Sequence, residues 1–222
     1  MLKMIKSGNM KNITTIINEH KEKHDGKLQV DLACGSSKHL DYLGVDVSDE
    51  TDADIIWDLH IYPWPFEDNS VDKIHCSHYI EHIPHDTAVK EALHEATTFE
   101  EFKQLYNEKS KQDGLIKFFN ELYRILKPEG KVSIHVPYYT SDRAYGDPSH
   151  TRSICDKTFI YLNRGWIEAN RLTHYGINAN FDIEYSYRVN DEMALRAEVV
   201  RNRMIKECWN AVDDLMVILT KR

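Results

Sequence analysis

Four acidic or small polar positions fall where a nucleotide-type ligand could use them. Asp31 and Gly35 sit at the end of the apolar run LQVDLACG, Asp46 ends LGVDV, Asp58 follows DIIW with Leu59 beside it, and Ser77-His78 end VDKIHCSH. An ionised carboxylate such as Asp46 accepts two hydroxyl hydrogen bonds and suits a ribose diol. Asp58 could accept from an adenine amino group while Leu59 flanks the ring. The small residues Ala33, Gly35, Ser36 and Ser37 permit close backbone approach to a ligand. Singly these are weak signals, since an isolated Asp is more often a turn or helix-cap residue. Their order and strand-like spacing make them a set.

A second group, Tyr145, Asp147 and His150, lies in the run SDRAYGDPSH. Its residue types could bind an acceptor or take a proton from it. The plainer reading is that Asp147-Pro148 starts a turn that His150 caps. Histidines also crowd one stretch, His75, His78, His82 and His85. Their spacing could place ligands on one helical face, but His75 falls inside an expected strand and points opposite to Cys76. No metal site is therefore expected from that set.

These residues need a parallel sheet to bring them together, because ligands of such sheets bind at the carboxyl ends of the strands. Apolar periodicity predicts a helix at 12–23, with Ile13, Ile16 and Ile17 in a stripe, and strands at 28–33, 43–47, 53–59 and 71–77. Further helices are expected at 86–96, 98–109 and 115–126, the last stopped by Lys127-Pro128-Glu129-Gly130. A strand at 131–137 follows, then a loop-rich section at 138–180, long enough to suggest a use. It is the expected substrate side. A strand at 181–189, one long helix at 191–212 and a last strand at 215–220 complete the pattern, an α/β doubly wound sheet. The first two strands are separated by only about nine residues, fewer than the dozen a parallel crossover normally takes. A full crossover helix does not fit there.

The chain has 222 residues, 41% of them hydrophobic, and a formal net charge of −8. That length suits one α/β domain, read as a helical extension at 1–27, a cofactor-binding core at 28–137, an insertion at 138–180 and a strand-helix-strand end at 181–222. The negative charge argues against non-specific binding to nucleic acid or anionic lipid. Four separated cysteines with no CxxC pair suggest neither a disulfide framework nor a cysteine zinc site. No apolar run nears the roughly 20 residues of a membrane span, and the first residues lack a signal-peptide core. A cytoplasmic protein is expected.

In sequence order, DLACG, GVDVS, DIIWDLHIYPWPFEDNSVDKIHCSHYIEHI and FFNELYRILKPEGKVSIHVPYY resemble the signatures of the class I S-adenosylmethionine-dependent methyltransferase superfamily. The PWPFEDNSVD and LYRILKPEGK stretches are most like its type 11 group. The short first link and the SDRAYGDPSH run resemble a phage and bacterial subgroup. The resemblance implies a Rossmann-like, mostly parallel seven-stranded sheet with an antiparallel last strand and helices on both faces. It implies S-adenosyl-L-methionine as cofactor, with Asp31 and Gly35 at the methionine end, Asp46 on the ribose, Asp58 and Leu59 at the adenine, Ser77 and His78 closing the pocket, and Ala33 and Val47 among the cofactor-binding residues. Where relatives continue glycine-x-glycine, this chain has Ser36 and Ser37, so Lys38 is expected to contact the cofactor carboxylate. The acceptor side falls to His150, Asp147 and Tyr145, and the acceptor is expected to be a small molecule methylated on oxygen or nitrogen. The aromatic residues could instead stack nucleic-acid bases, with Arg152, Lys157, Arg164 and Arg171 as a basic groove. The motifs of amino-methylating and C5-cytosine DNA enzymes are absent from HCSHYIEH. A catalytically silent cofactor-binding module is the alternative of another class.

Overall fold

The computed structural model describes residues 7–222. Seven strands form one sheet in the order β3-β2-β1-β4-β5-β7-β6. They are β1 (Gln29–Leu32), β2 (Leu43–Asp46), β3 (Ile55–Ile56), β4 (Val71–Ser77), β5 (Leu126–Pro137), β6 (Phe181–Arg188) and β7 (Asp214–Lys221). Neighbours from β3 to β5 are parallel, and β7 runs antiparallel to both β5 and β6. The expected α/β class and antiparallel last strand are both present.

The helix α1 (Ser7–Lys23) precedes β1, and α2 (Ala88–Glu95), α3 (Phe99–Lys109) and α4 (Gly114–Ile125) join β4 to β5. The α4 stripe is the strongest in the chain, and Phe118, Leu122 and Ile125 are completely buried. Asp113 caps it by accepting from the Leu115 amide at 2.8 Å. The helix ends at Ile125, and β5 begins at once. Lys127 to Gly130 bulge out of β5, since Val71 pairs with Leu126 while Lys73 pairs with Lys131. Glu129 takes a φ of +63° there.

The expected loop at 138–180 holds more order than its sequence suggests. It contains α5 (Arg143–Gly146), α6 (Asp156–Phe159) and α7 (Arg164–Ala169), and Phe159, Leu162 and Ile167 anchor it in the core. The single helix expected at 191–212 is two pieces, α8 (Asp191–Ala194) and α9 (Glu198–Glu207). Met193 in α8 is buried and Ile205 in α9 packs against the core, whereas Leu195 is 89% exposed and Val199 82%.

The links β1–β2 and β2–β3 contain no helix. Gly44 makes the first link possible. A Cβ there would stand 2.6 Å from Lys38 Cδ and 2.9 Å from Cys34 Sγ, so any larger residue would have to displace the Lys38 stem that lies on β2. The sheet carries a matching sign. Alternate residues of the central strands, Ile74 and Cys76 on β4 and Val132, Ile134 and Val136 on β5, are fully buried. Those between them, His75, Ser133 and His135, are only half-buried. A sheet covered equally on both faces would carry apolar residues at both sets.

His75 shows the electrostatic consequence. Its ring lies between His39 at 5.1 Å and His135 at 5.2 Å. Burial first, then the two neighbouring imidazoles, pushes its pKa down to about 4. The unfolded chain protonates this side chain near pH 6.5, so between those values the unfolded state binds more protons. Its contribution to stability is full above about pH 6.5 and is lost as pH falls toward 4. His75→Leu should flatten the fall in stability across that window, measured by denaturant midpoints at stepped pH. An unchanged slope would assign the acid sensitivity to other groups.

Among the described residues no helix is long and apolar enough to cross a membrane.

Candidate functional site

The parallel register sets the ends of β1, β2, β3 and β4 side by side, pairing Leu32 with Val45 and Cys76, and Asp46 with Ile56. The residues just past them, Ala33, Val47, Trp57 and His78, therefore share one rim. Ala33 and Gly35 turn the chain with φ values of +54° and +55°, and His78 has +53°. For the non-glycine residues this is a conformation that costs energy.

Asp46 organises the first half of the rim. Its carboxylate accepts from the Gly35 amide at 3.0 Å and the Ser48 amide at 3.0 Å. A carboxylate has about four lone-pair sites, so two remain for a diol. Val47 beside it is 65% exposed and offers an apolar surface at the same edge. Asp31 is buried within β1, and its carboxylate accepts from the His39 amide at 2.7 Å. Burial raises its pKa against the lowering effect of that bond. It thus ties the loop down from beneath.

Lys38 is paired within the chain. Its ammonium grips Asp54 at 3.0 and 2.8 Å, and its stem lies on Gly44. With glycine-x-glycine replaced by Gly35-Ser36-Ser37, the loop turns Lys38 toward β3 and makes it a strut. Asp58 is likewise engaged, accepting from the His60 amide and Nδ1 at 3.0 and 2.9 Å and from Lys90 Nζ at 3.0 Å. Burial would raise its pKa, but these hydrogen bonds and the Lys90 charge outweigh it and hold the carboxyl well below the usual range. Leu59 is buried in the core, so Val47 rather than Leu59 presents the open apolar surface.

The other half of the rim is a cluster around Glu81, in the 3-10 turn Ile80–His82 that follows β4. Glu81 is 1% exposed, and neither carboxylate oxygen has a hydrogen-bond partner. His78 Nδ1 stands 3.4 Å away and His150 Nε2 4.0 Å. The backbone brings His150 there, because the Thr151 and Arg152 amides donate to the Glu81 carbonyl at 2.8 and 3.2 Å. Beyond His78 lies Asp214 at 4.0 Å, buried and paired with Arg143 and Arg188 at 3.3 and 2.7 Å.

His150 Nδ1 lies 3.0 Å from the Ala144 carbonyl, which fixes that nitrogen as the N–H and leaves Nε2 with a lone pair. Asp147 accepts from the Ser149 amide and hydroxyl at 2.8 and 2.6 Å. These bonds lower the pKa of this exposed carboxyl. Asp147 thus holds the turn that carries Ser149. Tyr145 is 56% exposed and stacked on Trp209 with centroids 5.7 Å apart, at the outer wall. The four histidines in the 75–85 stretch do not converge: His75 packs with His39 and His135, and His85 pairs with Asp113. The candidate site residues singled out from the sequence include neither Glu81 nor Asp214. The Glu81-His82 pair was the available signal for the first, whereas nothing local marks Asp214.

No protein-family model matches the chain, and no curated protein matches it. Solved structures do. An S-adenosylmethionine-dependent methyltransferase from Archaeoglobus fulgidus superposes with a TM-score of 0.54, over 96% of this chain and 94% of that one, at 16% identity. The fold is that of the class I methyltransferases. At such identity the likeness concerns the methyltransferase fold alone. A methyltransferase from Mesorhizobium loti matches at a TM-score of 0.43 and 16% identity, over 87% of this chain and 90% of that one. Phosphoethanolamine N-methyltransferase 2 of Haemonchus contortus, solved with S-adenosyl-L-methionine, matches at 0.38 and 16% identity, over 94% of this chain and 52% of that one. Both lie too far from the chain to bear on it further.

Proposed function

We propose that the chain binds S-adenosyl-L-methionine along the rim of β1 to β4 and transfers its methyl group to an oxygen or nitrogen of a small molecule. The observation that carries this reading is Asp46, a carboxylate at the end of β2 tied to the Gly35 amide with acceptor capacity left for a ribose. In this reading Asp31, Ala33 and Gly35 shape the methionine end, Val47 covers the adenine face, Asp58 and Leu59 frame its edge, and Ser77 and His78 close the pocket.

The transfer is an in-line displacement. An acceptor lone pair forms the new bond to the methyl carbon as the carbon–sulfur bond breaks, and the sulfonium becomes the neutral thioether of S-adenosyl-L-homocysteine. The charged leaving group is already activated, so alignment contributes most. A hydroxyl or amine acceptor must also release a proton, and His150 Nε2, oriented by the Ala144 carbonyl, is the assigned recipient. Asp147 positions this region through Ser149, and Tyr145 forms an outer wall. The section at 138–180 holds the acceptor.

A nucleic-acid acceptor is less well supported. Arg152 is spent on the Ile83 and Pro84 carbonyls and Asp113, Arg164 pairs with Glu168, and Lys157 with Asp156. Such cations are less available to a phosphate backbone.

Calorimetric titration with S-adenosyl-L-methionine tests the cofactor assignment, and absence of binding by the folded protein would refute it. For the acceptor side, His150→Ala should lower turnover by roughly 10²–10⁴-fold, the usual weight of a general base, with cofactor affinity intact. Parallel loss of both would make His150 structural.

A further inference from the structure

We propose that Glu81, His82 and His150 form a binding site for a divalent transition-metal ion of the zinc class. One ligand atom from each lies within 4.8 Å of the others. Donors at the usual distance of about 2.1 Å from one tetrahedral zinc ion stand about 3.4 Å apart, so side-chain rotations that bring the ligand atoms up to about 1.4 Å closer together close the site.

The hydrogen-bond pattern makes this more than proximity. Glu81 is almost wholly buried, with both carboxylate oxygens lacking a hydrogen bond, an arrangement that needs a compensating charge. The two histidines are set to supply lone pairs rather than protons. His150 directs Nδ1 at the Ala144 carbonyl. His82 Nδ1 meets Ser149 Oγ at 3.1 Å, and Ser149 gives its own hydrogen to Asp147 at 2.6 Å. The serine oxygen must then accept from His82, leaving Nε2 as the lone-pair nitrogen of that ring. Metal-bound histidines are commonly fixed in this way by an acceptor on the opposite nitrogen. His150 is also held firmly, its side chain only 9% exposed.

Two imidazole nitrogens and one carboxylate favour zinc, cobalt, iron or manganese over magnesium and calcium, which prefer all-oxygen sites. Three protein ligands leave a position open. The binding of the ion stands apart from the methyltransferase reading. Only its role rests on that reading: an acceptor oxygen in the open position would be ionised by the metal, with His150 then holding the ion instead of taking the proton.

The test uses the full chain, stripped with a chelator and dialysed against zinc, with metal content measured directly and cobalt as a visible-absorption probe. The expected result is close to one zinc per chain. E81Q and H82A should each weaken zinc affinity at least tenfold and alter the cobalt bands, while H85A leaves both unchanged. H82A covers the case in which E81Q fails to fold, since His82 is only half-buried. Failure to bind stoichiometric zinc, or zinc retained undiminished in folded E81Q or H82A, would overturn the site. Cofactor calorimetry on the same samples separates the two ideas: cofactor binding without zinc refutes this inference alone, and zinc binding without cofactor upholds it while refuting the functional reading.

Discussion

Asp46→Ala is expected to weaken S-adenosyl-L-methionine binding by at least a hundredfold, with the fold retained. The carboxylate would accept two hydrogen bonds from the ribose hydroxyls, each made to a charged group and worth about 1.5–3 kcal/mol. A loss of about 1.4 kcal/mol is tenfold in affinity. The same substitution frees the Gly35 and Ser48 amides, so the loop after β1 keeps the bond from the Cys34 amide to the Val45 carbonyl but loses its side-chain anchor on β2. Both effects act on the cofactor side, and neither touches the core. Asp46→Asn should fall between, because it keeps one acceptor oxygen but turns an NH2 group toward an amide that needs an acceptor. Calorimetry beside thermal melting makes the comparison. Affinity within threefold of the parent protein, with the fold intact, would remove Asp46 from the site.

The framework that presents Asp46 is legible where residues answer to local rules. The α4 stripe, the prolines and glycine after it and the apolar runs of β1, β2 and β4 locate most of the sheet. The short β1–β2 link is also readable, since its length alone forbids a crossover helix. Its consequence was written in the sequence less openly: KIHC in β4 and KVSIHV in β5 alternate polar with apolar residues, and the structure half-exposes the polar set. The helix expected at 191–212 is different. Leu195 and Val199 have helical spacing, but periodicity does not reveal whether a partner surface exists, and here both face solvent.

The site divides in the same way. Strand ends put Asp46 and His78 on one rim because register follows from the strands themselves. The pairing of Lys38 with Asp54 was not readable in advance, since a loop of turns has no periodicity from which side-chain direction follows. Glu81 and Asp214 escaped as principal residues because burial of a carboxylate is a tertiary property. The chain around Glu81 reads as a surface-compatible SHYIEH, and the 150–152 strip, far away in sequence, is bonded to its backbone in the fold.

Trp64→Ala should be the most destabilising single change in the segment between β3 and β4, because Trp64 couples that irregular segment to the core. It is 2% exposed, stands edge-on to Phe118 at 5.4 Å and stacks near Tyr62 at 5.9 Å. Its indole donates to the Leu59 carbonyl at 3.1 Å, and its amide donates to buried Glu121 at 2.6 Å. Arg124 holds the same strip through the Trp64 and Phe66 carbonyls at 3.2 and 2.9 Å. Truncating a buried tryptophan costs about 3–5 kcal/mol, a large part of the roughly 5–15 kcal/mol that keeps a domain folded. For a chain of this size that corresponds to a fall in melting temperature of roughly 6–20 °C. Trp64→Phe keeps most of the packing and loses the bond to Leu59, so its cost should be nearer 1–2 kcal/mol. The pair of variants separates packing from positioning. If the bond to Leu59 helps hold Asp58 and Leu59 at the rim, Trp64→Phe should weaken cofactor binding out of proportion to its small loss of stability. Unchanged affinity in Trp64→Phe would confine Trp64 to the core, and a Trp64→Ala protein melting within about 2 °C of the parent would contradict the packing argument.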